Sequence, residues 1–206
     1  VQLTAIAANG PDSTAPAKAA APDAFVTTDY RELVRRDDID MLDIVVPNFL
    51  HAEIAEAGLR AGKHVLVENP MAISLEECDR LVEAEKASGK RLSVGHELRV
   101  SDQWGRVKTE IDAGRIGAPI FVNVALFRNP YRSSADGWRY DRARVGSWIL
   151  EETVHFFDLA LWYLAERGDP VSLRSVGTIR DGHPGMFENM STVLQFADGA
   201  MATINH

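Results

Sequence analysis

Glu151, His155, Asp158 and Trp162 follow one another at intervals of four, three and four residues within "SWILEETVHFFDLALWYL". That spacing predicts a single stripe along one helix. An imidazole titrates near neutrality, and a carboxylate one turn away can orient it or share its proton. The stripe therefore suits general acid–base chemistry. The same helix carries Phe156, Leu159, Leu161, Tyr163 and Leu164, so it is mostly buried. A His–Asp pair there can equally be a satisfied hydrogen bond of the core.

A second group of polar residues stands where apolar runs stop. "HVLVENPM" (64–71) puts Glu68, Asn69 and Pro70 at the end of a strand-like run. Ala8-Asn9, Pro47-Asn48 and His96-Glu97 end three others. Ligands of open parallel sheets bind at the carboxyl ends of the strands, so these four positions form a candidate ligand site.

The elements that must position them alternate over the first half. "LTAIAA", "AFVTT", "MLDIVVP", "HVLVE" and "RLSVGH" read as strands. The first is followed by an Ala/Pro-rich stretch in which Pro11, Pro16 and Pro22 allow at most a short, interrupted helix. Asp29 is placed to cap "YRELVRR", Asn48 to cap a helix running to Gly62, and Ser74 with Glu77 to form a capping box. Apolar strands separated by amphipathic helices predict a parallel sheet covered on both faces. After residue 97 the pattern changes. A helix containing Trp104, Val107 and Ile111 precedes "PIFVNVALFRN", and a long helix over about 148–165 precedes "VSLRSVGTIRD" and the hairpin "MSTVLQFADGAMATIN". Alternation there predicts an open antiparallel or mixed sheet. The change of pattern places a domain boundary near residues 97–100, dividing 1–98 from 99–206.

Composition bounds the partners. The chain has 206 residues, a formal net charge of −8 and 46% hydrophobic residues. Scattered Lys and Arg offer no basic face for nucleic acid. No apolar run approaches the roughly 20 residues that span a bilayer. The single cysteine, Cys78, excludes an internal disulfide, and cytoplasm is the expected compartment. Two motifs are set aside. "GRIGAP" lacks the preceding strand of a phosphate-binding turn, and "EETVH" has one histidine where a zinc peptidase needs two. Glu151, His155 and His96 could meet at a metal geometrically, yet no ligand-spacing motif supports one.

The order of motifs resembles the Gfo/Idh/MocA family of dehydrogenases. The resemblance rests on "IDMLDIVVPNFLHAEIAEAGLRAGKHVLVENPMAISLEECDRLVEA", "VGHELR", "GRIGAPIFVNVALFRNP", "WRYD" and "GSWILEETVHFFDLALWYL", which together cover nearly the whole chain. It implies a Rossmann-type parallel domain followed by an α/β domain with an open, mostly antiparallel sheet. It implies NAD or NADP as cofactor, a sugar, cyclitol or polyol as substrate, and a homo-oligomer formed through the second sheet. The implied cofactor contacts are Ala8, Asn9, Pro47, Asn48, His51, Glu68, Asn69 and Pro70; His96, Arg99, Arg128, Trp138, Arg139 and His155 are the candidate substrate contacts. His155 is the implied acid–base, Glu151 would set its tautomer, and Asn69 would hold the substrate oxygen. The family's strand ends Glu-Lys-Pro where this chain has Glu68-Asn69-Pro70. Asparagine donates and accepts hydrogen bonds but carries no cation. Glu151 likewise replaces the family's aspartate. Ala8-Asn9 lacks the carboxylate that would favour NAD over NADP.

Two other readings follow from the same residues. Asn69 suits a non-catalytic sugar-binding or regulatory protein on this scaffold. A metal-dependent (β/α)₈ isomerase would continue strand–helix alternation to the end, and the β-rich final third does not. Val1 is expected to lie already in the family's second strand, which places the Gly-rich turn for the pyrophosphate outside these residues. The chain by itself is therefore expected to bind NAD(P) more weakly than micromolar. Isothermal titration with NAD and NADP checks this, and micromolar binding by either would refute it.

Overall fold

The computed structural model describes residues 1–126, 135–179 and 182–206. They form two units, Val1–Val46 with Leu50–Gly95 and Pro47–Phe49 with His96–His206.

In the first unit, β1 (Ala5–Ala7) pairs in parallel with β2 (Phe25–Thr27). A separate parallel sheet runs β3 (Met41–Ile44), β4 (His64–Glu68), β5 (Leu92–Gly95), with Leu42 opposite Val65 and Val67 opposite Val94. Leu42, Ile44, Val65 and Val67 are buried with Leu59 of helix α3 (His51–Arg60) and Leu81 of α4 (Leu75–Ser88). Fully burying each such side chain is worth about 1.5–3 kcal/mol. The expected cover on both faces is only partly realised, because Met41 and Val45 are exposed. The free edge of β3 explains why. Residues of β3 and of β1 line opposite sides of a cavity of about 440 Å³, walled also by Leu3, Tyr30 and Leu33.

Local signals account for most helix ends. Asp29 accepts from Arg31 N–H at the start of α2 (Tyr30–Arg35). Ser74 accepts from Glu77 N–H, and Glu77 accepts from Ile73 N–H, one residue before the cap. Gly89 closes α4 at φ 65°, in the left-handed region that glycine enters without a Cβ penalty. Two expectations fail. The Ala/Pro-rich stretch forms a ten-residue helix, α1 (Pro11–Ala20). Pro11 sits at its start, where an N–H has no helical partner to lose, and the alanines offset the single bond missing at Pro16. Asn48 is not a helix cap. It lies in a 3₁₀ turn, Asn48–Leu50, and its amide donates to Val145 O at 3.2 Å.

Helix α3 packs closely on the sheet at one point. A Cβ placed on Gly58 would stand 2.7 Å from Leu42 Cδ1 and 3.2 Å from Val65 Cγ2.

The second unit begins with α5 (Trp104–Asp112) and β6 (Phe121–Ala125), then the one-turn α6 (Arg142–Val145). The long helix expected over 148–165 is divided. A π-helical turn occupies Ile149–Thr153, and α7 runs Val154–Tyr163. β7 (Pro170–Ile179), β8 (Phe187–Phe196) and β9 (Met201–Asn205) complete a sheet ordered β6-β9-β8-β7, antiparallel except for the parallel β6–β9 pair. The β8–β9 connection turns at Asp198-Gly199, as expected, with Gly199 at φ 90°. Phe156, Leu159 and Ala160 of α7 bury Leu194, Phe196, Ala202 and Ile204 on one face of the sheet. The opposite face carries cross-strand hydrogen bonds between short uncharged side chains: Ser172–Gln195, Asn189–Thr178, Ser191–Asn205 and Thr203–Asn123.

Candidate active site

In the first unit the strand ends carry Ala8, Asn9, Glu68, Asn69 and Pro70. Ala8 donates its N–H to Thr27 O at 3.0 Å, which extends the β1–β2 ladder, and Asn9 is exposed beyond it. Glu68 is exposed at the end of β4, and its Oε2 accepts from Asn69 N–H at 3.3 Å. Gly95 lies alongside on β5, where any Cβ would meet the Glu68 carboxylate at 2.9 Å. His51, the first residue of α3, is buried and contacts Val46 O and Pro70 O through its ring nitrogens. Apart from His51, these groups suit a ribose: a carboxylate and an amide that exchange hydrogen bonds with hydroxyls.

Pro47 and Asn48 belong to the second unit. Asn48 is buried with its amide given to Val145 O, so it does not present that donor to a ligand. The imidazoles of His96 and His155 lie edge to face in this unit, with ring centroids 6.3 Å apart. His155 Nδ1 is 3.3 Å from Glu97 Oε2. Arg99 donates through Nε and Nη2 to both oxygens of Asp158 at 2.7 and 2.6 Å, and His96 Nε2 lies 3.8 Å from the same carboxylate. Trp162 packs under this pair, its ring 5.3 Å from the Arg99 guanidinium carbon.

The expected α-helical stripe begins in a π-helical turn, which carries one residue more than an α turn. Glu151 instead accepts from Arg139 Nε at 2.5 Å. The carboxylate at His155 Nδ1 comes from Glu97, a residue marked in the sequence only as the polar end of a strand. Three of the expected substrate contacts have partners within the chain. Arg99 spends two donors on Asp158, and Arg139 is engaged by Glu151 and stacked over Trp138 at 4.7 Å. Trp138 is 7% exposed in a cluster with Val145, Trp148 and Met186, so its indole is packing. Arg128 lies outside the described residues.

Residues 1–96 match the family described as "Oxidoreductase family, NAD-binding Rossmann fold", and residues 104–206 match "GFO/IDH/MocA C-terminal domain". The chain belongs to the Gfo/Idh/MocA family. It is similar to 1,5-anhydro-D-fructose reductase of Ensifer adhaerens, 33% identical over 179 residues, which are 85% of this chain and 52% of that protein. Inositol 2-dehydrogenase of Salmonella typhimurium is 32% identical over 139 residues, 67% of this chain and 39% of that protein. Among solved structures, WlbA dehydrogenase from Bordetella pertussis, in complex with NADH and UDP-GlcNAcA, superimposes with a TM-score of 0.86 at 27% identity. That match covers 99% of this chain and 58% of WlbA. Levoglucosan dehydrogenase in complex with NADH and levoglucosan gives a TM-score of 0.81 at 26% identity, covering 98% of this chain and 56% of its own. The chain spans about half the length of curated relatives such as the anhydrofructose reductase.

Burial holds the His96 imidazole below its ordinary 6.5. Asp158 and Glu97 pull upward, while Arg99 and His155 add to the depression. The folded state thus binds fewer protons here than the unfolded chain. Its contribution to stability is present above the unfolded value and is lost as pH falls through the folded one. The urea midpoint is expected to drop between about pH 7 and pH 5. His96→Phe should flatten that drop, and an unchanged slope in the variant would refute the assignment.

Proposed function

We propose that the whole protein is an NAD(P)-dependent dehydrogenase. It would move a hydride between the nicotinamide and a secondary-alcohol carbon of a sugar, cyclitol or related polyol. The observation that carries this reading is the approach of the Glu97 carboxylate to His155, with Nδ1 3.3 Å from Oε2. A carboxylate on that side of an imidazole can orient the ring so that Nε2 serves as the base. Relatives named for inositol, anhydrofructose and levoglucosan chemistry support the substrate class.

Bound NAD(P) would supply the hydride acceptor or donor. Glu68 and Asn9 would hold its ribose hydroxyls, and Asn69 would orient the substrate oxygen by hydrogen bonding alone. His155 takes the hydroxyl proton during oxidation and returns it during reduction. Glu97 would orient the ring, the role expected of Glu151. Glu151, held by Arg139, instead steadies the π turn that leads into α7.

His155→Asn in the whole protein should lower kcat by roughly 10²–10⁴-fold with KM little changed. Full activity in the variant would refute the acid–base assignment. Asn69 favours a second reading, a sugar-binding protein without turnover. Asn69→Lys separates the two: a large gain in polyol oxidation marks an attenuated dehydrogenase, and saturable sugar binding with no turnover in either form marks the binding protein.

The second sheet supports a homo-oligomer. Its open face pairs uncharged side chains across strands, exposes Phe121 and Val176, and carries Arg174 in the same alternation, in a chain of net charge −8. A face with so few charges for its area is of the kind that subunit interfaces bury. Sedimentation equilibrium of the whole protein should give a dimer or tetramer, and Val176→Lys should shift it toward monomer. A monomeric wild type would refute this assembly.

A further inference from the structure

Both ring nitrogens of His51 meet backbone carbonyl oxygens. Nδ1 lies 2.5 Å from Pro70 O, and Nε2 lies 2.8 Å from Val46 O. The residue is 1% exposed. A carbonyl oxygen only accepts, and a neutral imidazole has one N–H and one lone pair. Either neutral tautomer would therefore press a lone pair against an oxygen at hydrogen-bonding distance, inside a medium that screens little. Two acceptors call for two donors.

We propose that His51 is held as an imidazolium, and that this doubly donating ring positions the segments leaving β3 and β4. Val46 follows β3, and Pro70 follows Asn69 at the end of β4. One rigid ring thus sets the spacing between two strand ends that share a sheet. Two effects oppose the charge. Burial disfavours it, and His51 is the first residue of α3, at the positive end of the helix dipole. Against them stand two charge-assisted hydrogen bonds, each roughly twice as strong as a neutral one. Losing the proton would turn one of these contacts repulsive. Of the carboxylates on the elements around the ring, Glu53 and Glu56 of α3 are engaged by Tyr30, Arg31, Arg60 and Arg80, Asp43 of β3 is exposed, and Glu68 faces Asn69 N–H and Gly95. The two carbonyl dipoles are the partners assigned to the charge.

The protonation state is independent of the function proposed above; its consequence for catalysis rests on that function, because Asn69 and Glu68 lie next to the segment that His51 holds. The test begins with nitrogen-15 spectra of the histidine rings in the folded chain at neutral pH, His51 being assigned through its own side-chain carbons. Two protonated ring nitrogens are expected. A pyridine-type nitrogen at either position would overturn the proposal. The second measurement is steady-state kinetics of the whole protein as wild type, His51→Gln and His51→Ala, in which the two donating nitrogens become one and then none. About a tenfold loss of kcat/KM per donor removed is expected, with the pH profile set by His155 unmoved and partial rescue in the glutamine variant relative to alanine. Equal activity across the series would remove the positioning role. An inactive wild type with a doubly protonated ring would instead refute the dehydrogenase reading and leave the charge on His51 established.

Discussion

Parallel pairing of β3 with β4 and of β4 with β5 governs what the first unit can do. Parallel ladders bring the carboxyl ends of consecutive strands to one edge, and the polar residues of this half follow directly after those ends. Glu68, Asn69, Pro70 and His51 come together because Leu42, Ile44, Val65 and Val67 are buried behind them. A slip of one residue in that register would turn each of these side chains to the opposite face. The hydrophobic pattern of two short strands thus determines where a carboxylate and an amide are presented.

The second unit arranges its chemistry through ion pairs. Arg99 closes on Asp158, Arg139 on Glu151, and His155 meets Glu97. The Asp158 and Glu151 carboxylates are largely buried, so breaking either pair would leave a charge without compensation, a larger penalty than losing an exposed bridge. The Arg99–Asp158 pair spans 59 positions and the Arg139–Glu151 pair 12. The loop after β5 is thereby tied to α7, and the segment before α6 to the π turn.

The sequence was readable where cause and effect lie within a few residues. Asp29, Ser74 with Glu77, Gly89 and Asp198-Gly199 act on backbone groups within four positions of themselves, and each does so as expected. The parallel and mixed character of the two sheets was readable from continuous against alternating apolar runs. Asn48 and Glu151 were not readable in the same way. Asn48 donates to Val145, 97 residues away, and Glu151 accepts from Arg139 within a π turn that the apolar spacing does not signal. Glu97 carries the polarity that marks a strand end, but its pairing with His155 depends on the fold of the whole second unit. His51 gives no local sign that both ring nitrogens would face carbonyls.

Gly58 has no side chain to offer a ligand, yet it governs how accurately its helix is seated. Helix α3 is ten residues long, from His51 to Arg60, a stiff rod of about 15 Å. A methyl group at position 58 would have to push Leu42 aside or lever the rod off the sheet. Levering would swing the imidazole at the far end away from two oxygens that it reaches at 2.5 and 2.8 Å, distances with only a few tenths of an ångström of slack. A fault at this pivot would leave the strand ends misaligned, although the altered atom lies about two helical turns from the imidazole on the same rod.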